Sequence, residues 1–325
     1  MRVIRAHNVN DALPKGLEML RSYGFWQRTR NGNAIVSPMP VTTCYAAPKE
    51  RVLFWRERDA NPFFHLFESL WMLGGRNDLK YVANFVKRMK EYSDDGTSLW
   101  GAYGWRWRSF FDFDQLEWAV DRLKKDPSDR RVVISMFAPA ADQIKADDGG
   151  KDIPCNLSVH FQVILNKLNM TVFNRSNDIV WGGYGANVVH MSILQEYVSG
   201  MIGIPVGRYW QVSDNFHAYE ELYTKLLAAK RPPTDHYAND EVVPFNLVLQ
   251  AGSFDNDLAM FLEEPTAIGF RNPFFRKIAK PLYLAHRAYK QKTMHELEIL
   301  EQMPQKNDWR LAAEQWILRR HANVG

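Results

Sequence analysis

Leu157-Ser-Val-His-Phe-Gln-Val-Ile-Leu165 is the stretch that decides the fold. Leu157, Val159, Phe161, Val163 and Leu165 alternate with Ser158, His160, Gln162 and Ile164, the two-residue period of a strand with one buried face. Asn166-Lys167 supplies a turn, and Leu168–Phe173 returns as the partner strand. Upstream, Arg131-Val-Val-Ile-Ser-Met-Phe137 reads as a buried strand. Downstream, Asn187 to Met201 changes to helical spacing, with Val188, Met191, Leu194, Tyr197 and Val198 on one side. From Pro62 to Leu73 the residues Phe63, Phe64, Leu66, Phe67, Leu70, Trp71 and Leu73 cover most of a helix surface, which predicts a buried helix. Helices interleaved with antiparallel strands predict the α+β class.

The composition narrows the field around that core. The chain has 325 residues, 41 Lys+Arg against 37 Asp+Glu, a net charge of +4 and two cysteines. Two thiols, Cys44 and Cys155, make neither a disulfide-dense scaffold nor a four-cysteine zinc site. With 13% aromatic residues a chain of this length can bury a sizeable core, so disorder is not expected. Met1-Arg-Val-Ile-Arg-Ala-His lacks the apolar run of a signal peptide, and charged residues interrupt every hydrophobic stretch before the ~18 residues of a membrane span. The expectation is a soluble, cytoplasmic protein with no membrane partner; for a phage-encoded chain that means the host cytoplasm. A surplus of four charges reads as a solvated surface, or as one local anion site. Repeats and low-complexity stretches are absent. Ser93–Ser98 and Lys145–Asp152 read as exposed loops, and Lys230-Arg-Pro-Pro-Thr as a break before a late strand region. A single domain over 1–325 is expected.

Several residues carry candidate chemistry. Cys155 follows Pro154 at the start of the alternating strand, where a rigid backbone can aim a thiol into a cleft; a buried lone cysteine that merely packs would look the same. Cys44 lacks such a setting and reads as inert. Arg175-Ser176 sets a guanidinium fork beside a hydroxyl, which suits a phosphate dianion, and Arg130-Arg131 adds a basic pair. Gly182, Gly183 and Gly185 permit close backbone approach to a planar ligand, without forming a dinucleotide fingerprint. Glu68, inside the apolar helix, lies either on a narrow exposed stripe or in a cleft suited to proton transfer. His217 and Tyr219 alternate as on a strand and can bond a sugar hydroxyl or each other's surroundings in a core. No metal is implied, since HExxH and zinc spacings are missing, as is a Walker A loop.

Taken in order, these segments resemble the thymidylate synthase superfamily from about Gln27 to Tyr219, more weakly to Gln250. The likeness rests on Pro154-Cys155 before the hairpin, Arg175-Ser176-x-Asp178 with Trp181-Gly182, His217-x-Tyr219, Glu68-Ser-Leu-Trp71, and Tyr103-Gly-x-x-Trp107-Arg108. The resemblance implies a thymidylate synthase-like fold, a mixed or antiparallel sheet covered by helices, dimerising through the sheet. It makes Cys155 the nucleophile on C6 of a pyrimidine nucleotide, with Arg175 lowering its pKa towards neutrality. Methylenetetrahydrofolate would be the one-carbon donor. Glu68 would organise proton transfers and Tyr103 assist C5 proton removal. Arg30, Arg175 and Ser176 would hold the phosphate, joined by Arg130 and Arg131 from the partner of a homodimer. Asp178, Trp181 and Gly182 would contact the pterin, and His217 and Tyr219 the sugar 3′-hydroxyl.

The departures from the pattern matter as much. Asn156 follows the nucleophile where the family has His, and His160 stands for Gln on the hairpin strand. The uracil-reading Asn falls on Ala186, unless one inserted residue passes its role to Asn187. Glu91-Tyr-Ser-Asp-Asp-Gly-Thr-Ser replaces a folate-lining Trp segment, and Trp316–Gly325 is unlike the family's closing tail. Such a pocket is wetter, so water rather than hydride would meet the exocyclic methylene. The pattern looks most like the cytidylate 5-hydroxymethylase branch, which implies a 5-hydroxymethyl-(d)CMP product. A C5-methylating relative acting on dUMP or dCMP is the alternative. A nucleic-acid-binding protein is more distant, because the arginines come in pairs and not in a long basic run.

Overall fold

The alternating stretch forms a long hairpin, β6 (Asn156–Ile164) and β7 (Lys167–Asp178), with Val159 opposite Val172 and Phe161 opposite Met170. The turn falls one residue earlier than expected. Leu165 and Asn166 both take positive φ, 50° and 56°, the pairing that lets a two-residue turn follow the strand twist. Lys167 already belongs to β7. The computed structural model describes residues 1–322.

β7 lies parallel to β8 (Val206–Tyr219), and β6 is followed at one edge by the short antiparallel β5 (Val133–Ser135). Beyond β8 come β4 (Val41–Tyr45) and β1 (Arg2–Ala6), giving the order β1-β4-β8-β7-β6-β5. A second hairpin, β2 (Phe25–Thr29) and β3 (Gly32–Val36), joins through β3 to the end of β8. The sheet is mixed, and with its helices the architecture is α+β.

Register separates the two faces. Ile4, Thr43, Gln211, Val172 and Val159 lie in one row and are all buried. The adjacent row of Val3, Thr42, Val212, Phe173 and Ser158 points the other way, with Val3 and Phe173 exposed. The buried side is covered by α1 (Val9–Tyr23), α2 (Pro62–Leu73) and α7 (Asn187–Ile202). α2 and α7 have the bounds that their apolar spacing predicts, to within a residue. Pro62 at the first turn and Asn61 capping Phe64 N–H fix the start of α2.

Two further contacts fix the segment packed against Cys155. α4 (Tyr103–Arg108) packs on α2 through Gly104, where a Cβ would lie 1.9 Å from Met72 O. That approach, open only to glycine, brings Tyr103 up to the loop of Cys155 and Asn156. Arg106 of α4 is fully buried and forms a two-pronged pair with Asp142, 2.9 and 2.8 Å, while its Nη1 also donates to Met136 O at 2.8 Å. Asp142 sits in α6 (Pro139–Asp147), so the expected loop at Lys145–Asp152 begins only after that helix ends.

The late strand region is not found. Past Thr234 the chain runs irregularly to α9 (Ala251–Glu263) and then through further helices to Ala322. Pro244 withholds a ladder donor, and Val243 makes one isolated bridge to Asn307. The expected departure at Trp316–Gly325 is helical as far as Ala322; residues 323–325 lie outside the described residues.

Candidate active site

Cys155 stands at the mouth of β6, enclosed by protein yet still reached by solvent. Its loop is held by Arg175 of β7: Nε donates to Pro154 O at 2.9 Å and Nη2 to Ile153 O at 2.8 Å. The Arg175 amide also donates to Cys155 O at 3.0 Å. Burial pushes the Cys155 thiol above its ordinary pKa, Arg175 and Arg30 pull it back, and Asp152 adds to the rise. The net direction is upward, which corrects the expectation of a thiol brought towards neutrality: here desolvation outweighs the guanidinium charges.

Around the sulfur gather side chains from distant parts of the chain. Tyr103 Oη accepts the Asn156 amide N–H at 3.3 Å. Burial, then the neighbouring Cys155, holds the Tyr103 phenol far above its usual range, so it is a neutral donor. The Asn156 side chain is fully buried, and neither of its polar atoms has a partner among the described residues. Asp152 accepts the Gly101 amide at 2.8 Å and is pushed by burial up to about 6. Glu68 is buried on α2 and so does not lie on an exposed stripe. Its Oε2 lies 2.9 Å from His190 Nε2 on α7.

On the far side, Asp178 closes β7 and accepts the Val180 and Trp181 amides at 3.1 and 3.3 Å, turning the chain into the wide helical turn Ile179–Ala186. Burial raises the Asp178 carboxyl, against the opposing charge of His217. Arg58 donates to Val180 O at 2.7 Å and lies 4.4 Å over the Trp181 ring, which remains 49% exposed. Burial brings the Arg58 guanidinium down to about 10. Asn187 Nδ2 donates to Asn177 Oδ1 at 3.3 Å, and Gly182 lies against the Asn187 amide. Ala186, the preceding residue, offers no polar group. His217 faces Asp178 across the β7–β8 pairing and meets Tyr219 edge to face. Tyr219 Oη accepts from Asn31 at 3.2 Å, which ties the Arg30 turn to the end of β8.

The expected arginines divide into two groups. Arg175 and Arg30 lie near enough to Cys155 for their charges to act on its thiol, and Ser176 follows Arg175 on β7. Arg130 and Arg131 are exposed just before β5, whose Val133 pairs with His160, well along β6 from the cysteine. At about 3.3 Å per residue they are roughly 20 Å away along the sheet. Arg131 pairs with Asp129 at 2.9 Å instead. Asp152, Arg58, Asn177 and His190 were missed by sequence reasoning; of these only Asp152, three residues before the cysteine, carried a positional signal.

The profile described as thymidylate synthase matches residues 17–238. The chain belongs to the thymidylate synthase family. It is 49% identical to a deoxyuridylate hydroxymethyltransferase of Pseudomonas phage M6, over 99% of this chain and 95% of that relative. A deoxyuridylate hydroxymethyltransferase of Bacillus phage SP01 is 36% identical over 59% of this chain and 52% of its own length. The fold matches thymidylate synthase from T4 phage with a TM-score of 0.55 at 21% identity, covering 70% of this chain and 81% of that one. The family fold expected from the sequence is therefore present.

The raised Asp152 gives a measurable pH dependence. A carboxyl whose pKa is higher folded than unfolded stabilises the fold below about pH 4 and loses that contribution as pH rises through about 6. Asp152→Asn keeps an acceptor for Gly101 and cannot ionise. Between about pH 4 and about pH 8 its stability should gain on wild type by roughly 2–3 kcal/mol in chemical denaturation. A difference that stays constant over that range contradicts the assignment.

Proposed function

We propose that residues 1–325 form one catalytic unit that transfers a one-carbon unit from methylenetetrahydrofolate to C5 of a pyrimidine deoxynucleotide, with water completing a 5-hydroxymethyl product. The observation carrying this reading is the convergence of Cys155, Tyr103, Glu68 and Asp152 at one cleft, in a family member 49% identical to a hydroxymethyltransferase. Cys155 adds to C6, which makes C5 nucleophilic. C5 attacks the donor's methylene, the C5 proton leaves, and tetrahydrofolate departs with its electrons unspent. Water then adds to the exocyclic methylene and Cys155 is expelled from C6. Glu68 handles the protons of these steps, and Tyr103 assists removal at C5. Asn156 steadies the nucleophile's backbone through its bond to Tyr103.

Arg30, Arg175 and Ser176 hold the phosphate, and His217 and Tyr219 bond the sugar. Asp178, Gly182 and Trp181 receive the pterin: the Trp181 ring, backed by Arg58, leaves open apolar surface for a planar ring. Asn187 reads the base in place of Ala186, since its amide alone has both a donor and an acceptor. Both phage relatives act on deoxyuridylate by name, so dUMP is the proposed nucleotide, where the sequence alone favoured a cytidylate. Arg130 and Arg131 reach the phosphate of a second copy docked on the uncovered sheet face of Val3, Val212 and Phe173.

The test of base choice is turnover with dUMP, dCMP and CMP in competition. A deoxyuridine product in clear excess supports the reading; preferential use of dCMP restores the cytidylate expectation.

A further inference from the structure

Glu68 and His190 meet between α2 and α7, away from bulk water. Both are buried, at 8% and 4% exposure, with Glu68 Oε2 2.9 Å from His190 Nε2. The approach is not aligned as a hydrogen bond, and neither ring nitrogen of His190 has another partner among the described residues. An imidazole with both nitrogens idle in a core is costly unless it serves something. His190 is three residues after Asn187, so the two share a face of α7 about 5 Å apart. His190 therefore leaves α7 on the same side as the proposed base-reading Asn187, with Glu68 against its ring.

We propose that His190 is the positioning residue of Glu68, fixing the carboxyl and its proton where water adds to the exocyclic methylene. This rests on the function proposed above. In that step the water oxygen bonds to the methylene carbon, the methylene π pair moves onto the base's C4 oxygen, and the water proton passes to Glu68. The returning enolate electrons then expel Cys155 thiolate from C6, so no oxidant or reductant is needed. His190 touches no reacting atom; it acts through the carboxyl, whose Oε2 lies 2.9 Å from its Nε2.

The other ionisable groups around the pair come from each neighbouring segment. His65 lies on α2 and is kept neutral, by burial first and then by Arg58 and His190. Arg58 precedes α2, Asp152 comes from the nucleophile's loop, and Tyr103 from α4. None offers Glu68 a contact like that of His190 among the described residues.

His190→Leu and His190→Gln separate this role from packing. Leu removes the donor; Gln keeps an amide N–H near the Nε2 position. In His190→Leu, kcat should fall roughly 100-fold with the nucleotide KM within about threefold of wild type, as for loss of acid–base handling. The acid limb of the kcat–pH profile should move up, because a carboxyl without that partner holds its proton more tightly. His190→Gln should fall between wild type and His190→Leu in both readouts, and it supplies the test if the leucine variant does not fold. An acid limb unmoved in the variants overturns the proposal, whether kcat is kept or lost with Tm. The wild-type product tests the functional reading separately: dihydrofolate release would end that reading, while the limb still decides the Glu68–His190 pairing.

Discussion

Cys155→Ala is expected to abolish turnover, lowering kcat by on the order of 10⁴-fold or more, while the nucleotide still binds. In the proposed reaction the sulfur is the group that converts C5 of the pyrimidine into a carbon nucleophile, and the described residues place no second thiol nearby. Cys44 lies on β4, buried in the row facing away from the helices. Binding should survive because Arg30, Ser176, His217 and Tyr219 are held by other parts of the sheet. Arg175 holds the Cys155 loop through backbone carbonyls, which the substitution leaves in place. Steady-state turnover and calorimetric nucleotide binding on the same preparation check both halves. Residual turnover near wild type would remove covalent addition from the account.

The largest stability loss is expected at Arg106. Its guanidinium and the Asp142 carboxyl are fully buried. Asp142 also accepts the Trp100 indole and the Ala138 amide, each at 2.7 Å. Arg106→Leu leaves that carboxylate without its cation and strands the carbonyls of Met136 and Trp100. The cost should be about 3–5 kcal/mol, enough to shift the denaturant midpoint far down or prevent folding. Arg106→Met with Asp142→Leu should recover only the part due to the unpaired charge, since the Trp100 indole, the Ala138 amide and the two carbonyls stay without partners. A single variant within about 1 kcal/mol of wild type would show that the pair is not the strut of the segment packed against Cys155.

What the sequence discloses follows the range of the interactions. The β6–β7 alternation and the apolar surface of α2 are local patterns imposed by one buried face, and the structure reproduces both. Segments without such a face are harder to read. Val242-Val243 look strand-like, yet Pro244 and the lack of a neighbouring edge leave them irregular. The Asp-rich stretch before Gly149 hides the end of α6, because Asp142 is drawn inward by Arg106. In the site, Cys155 and Asp178 stood out because each sits at a strand end, whereas Arg175 lies within β7 and stood out only through its Ser176 neighbour. Arg58 and His190 did not: Arg58 acts on Trp181 across the fold, and His190 lies on a helix whose whole circumference is buried. Glu68 shows the same limit, since helical spacing alone left its stripe or cleft open and only α7 packed against it rules out the stripe. The Cys155 thiol shows where a charge argument falls short, for the nearby arginines act on a group whose burial counts for more.

Hydroxymethylation and reductive methylation part at one step, where either water or hydride reaches the exocyclic methylene. The decisive measurement is simultaneous analysis of both products after turnover with dUMP and methylenetetrahydrofolate, by mass spectrometry of the nucleotide and absorbance of the folate. The expected product is a nucleotide heavier by one CH₂O unit, formed in step with tetrahydrofolate and without dihydrofolate. A nucleotide heavier by one CH₂ unit, with dihydrofolate rising at the same rate, would contradict it.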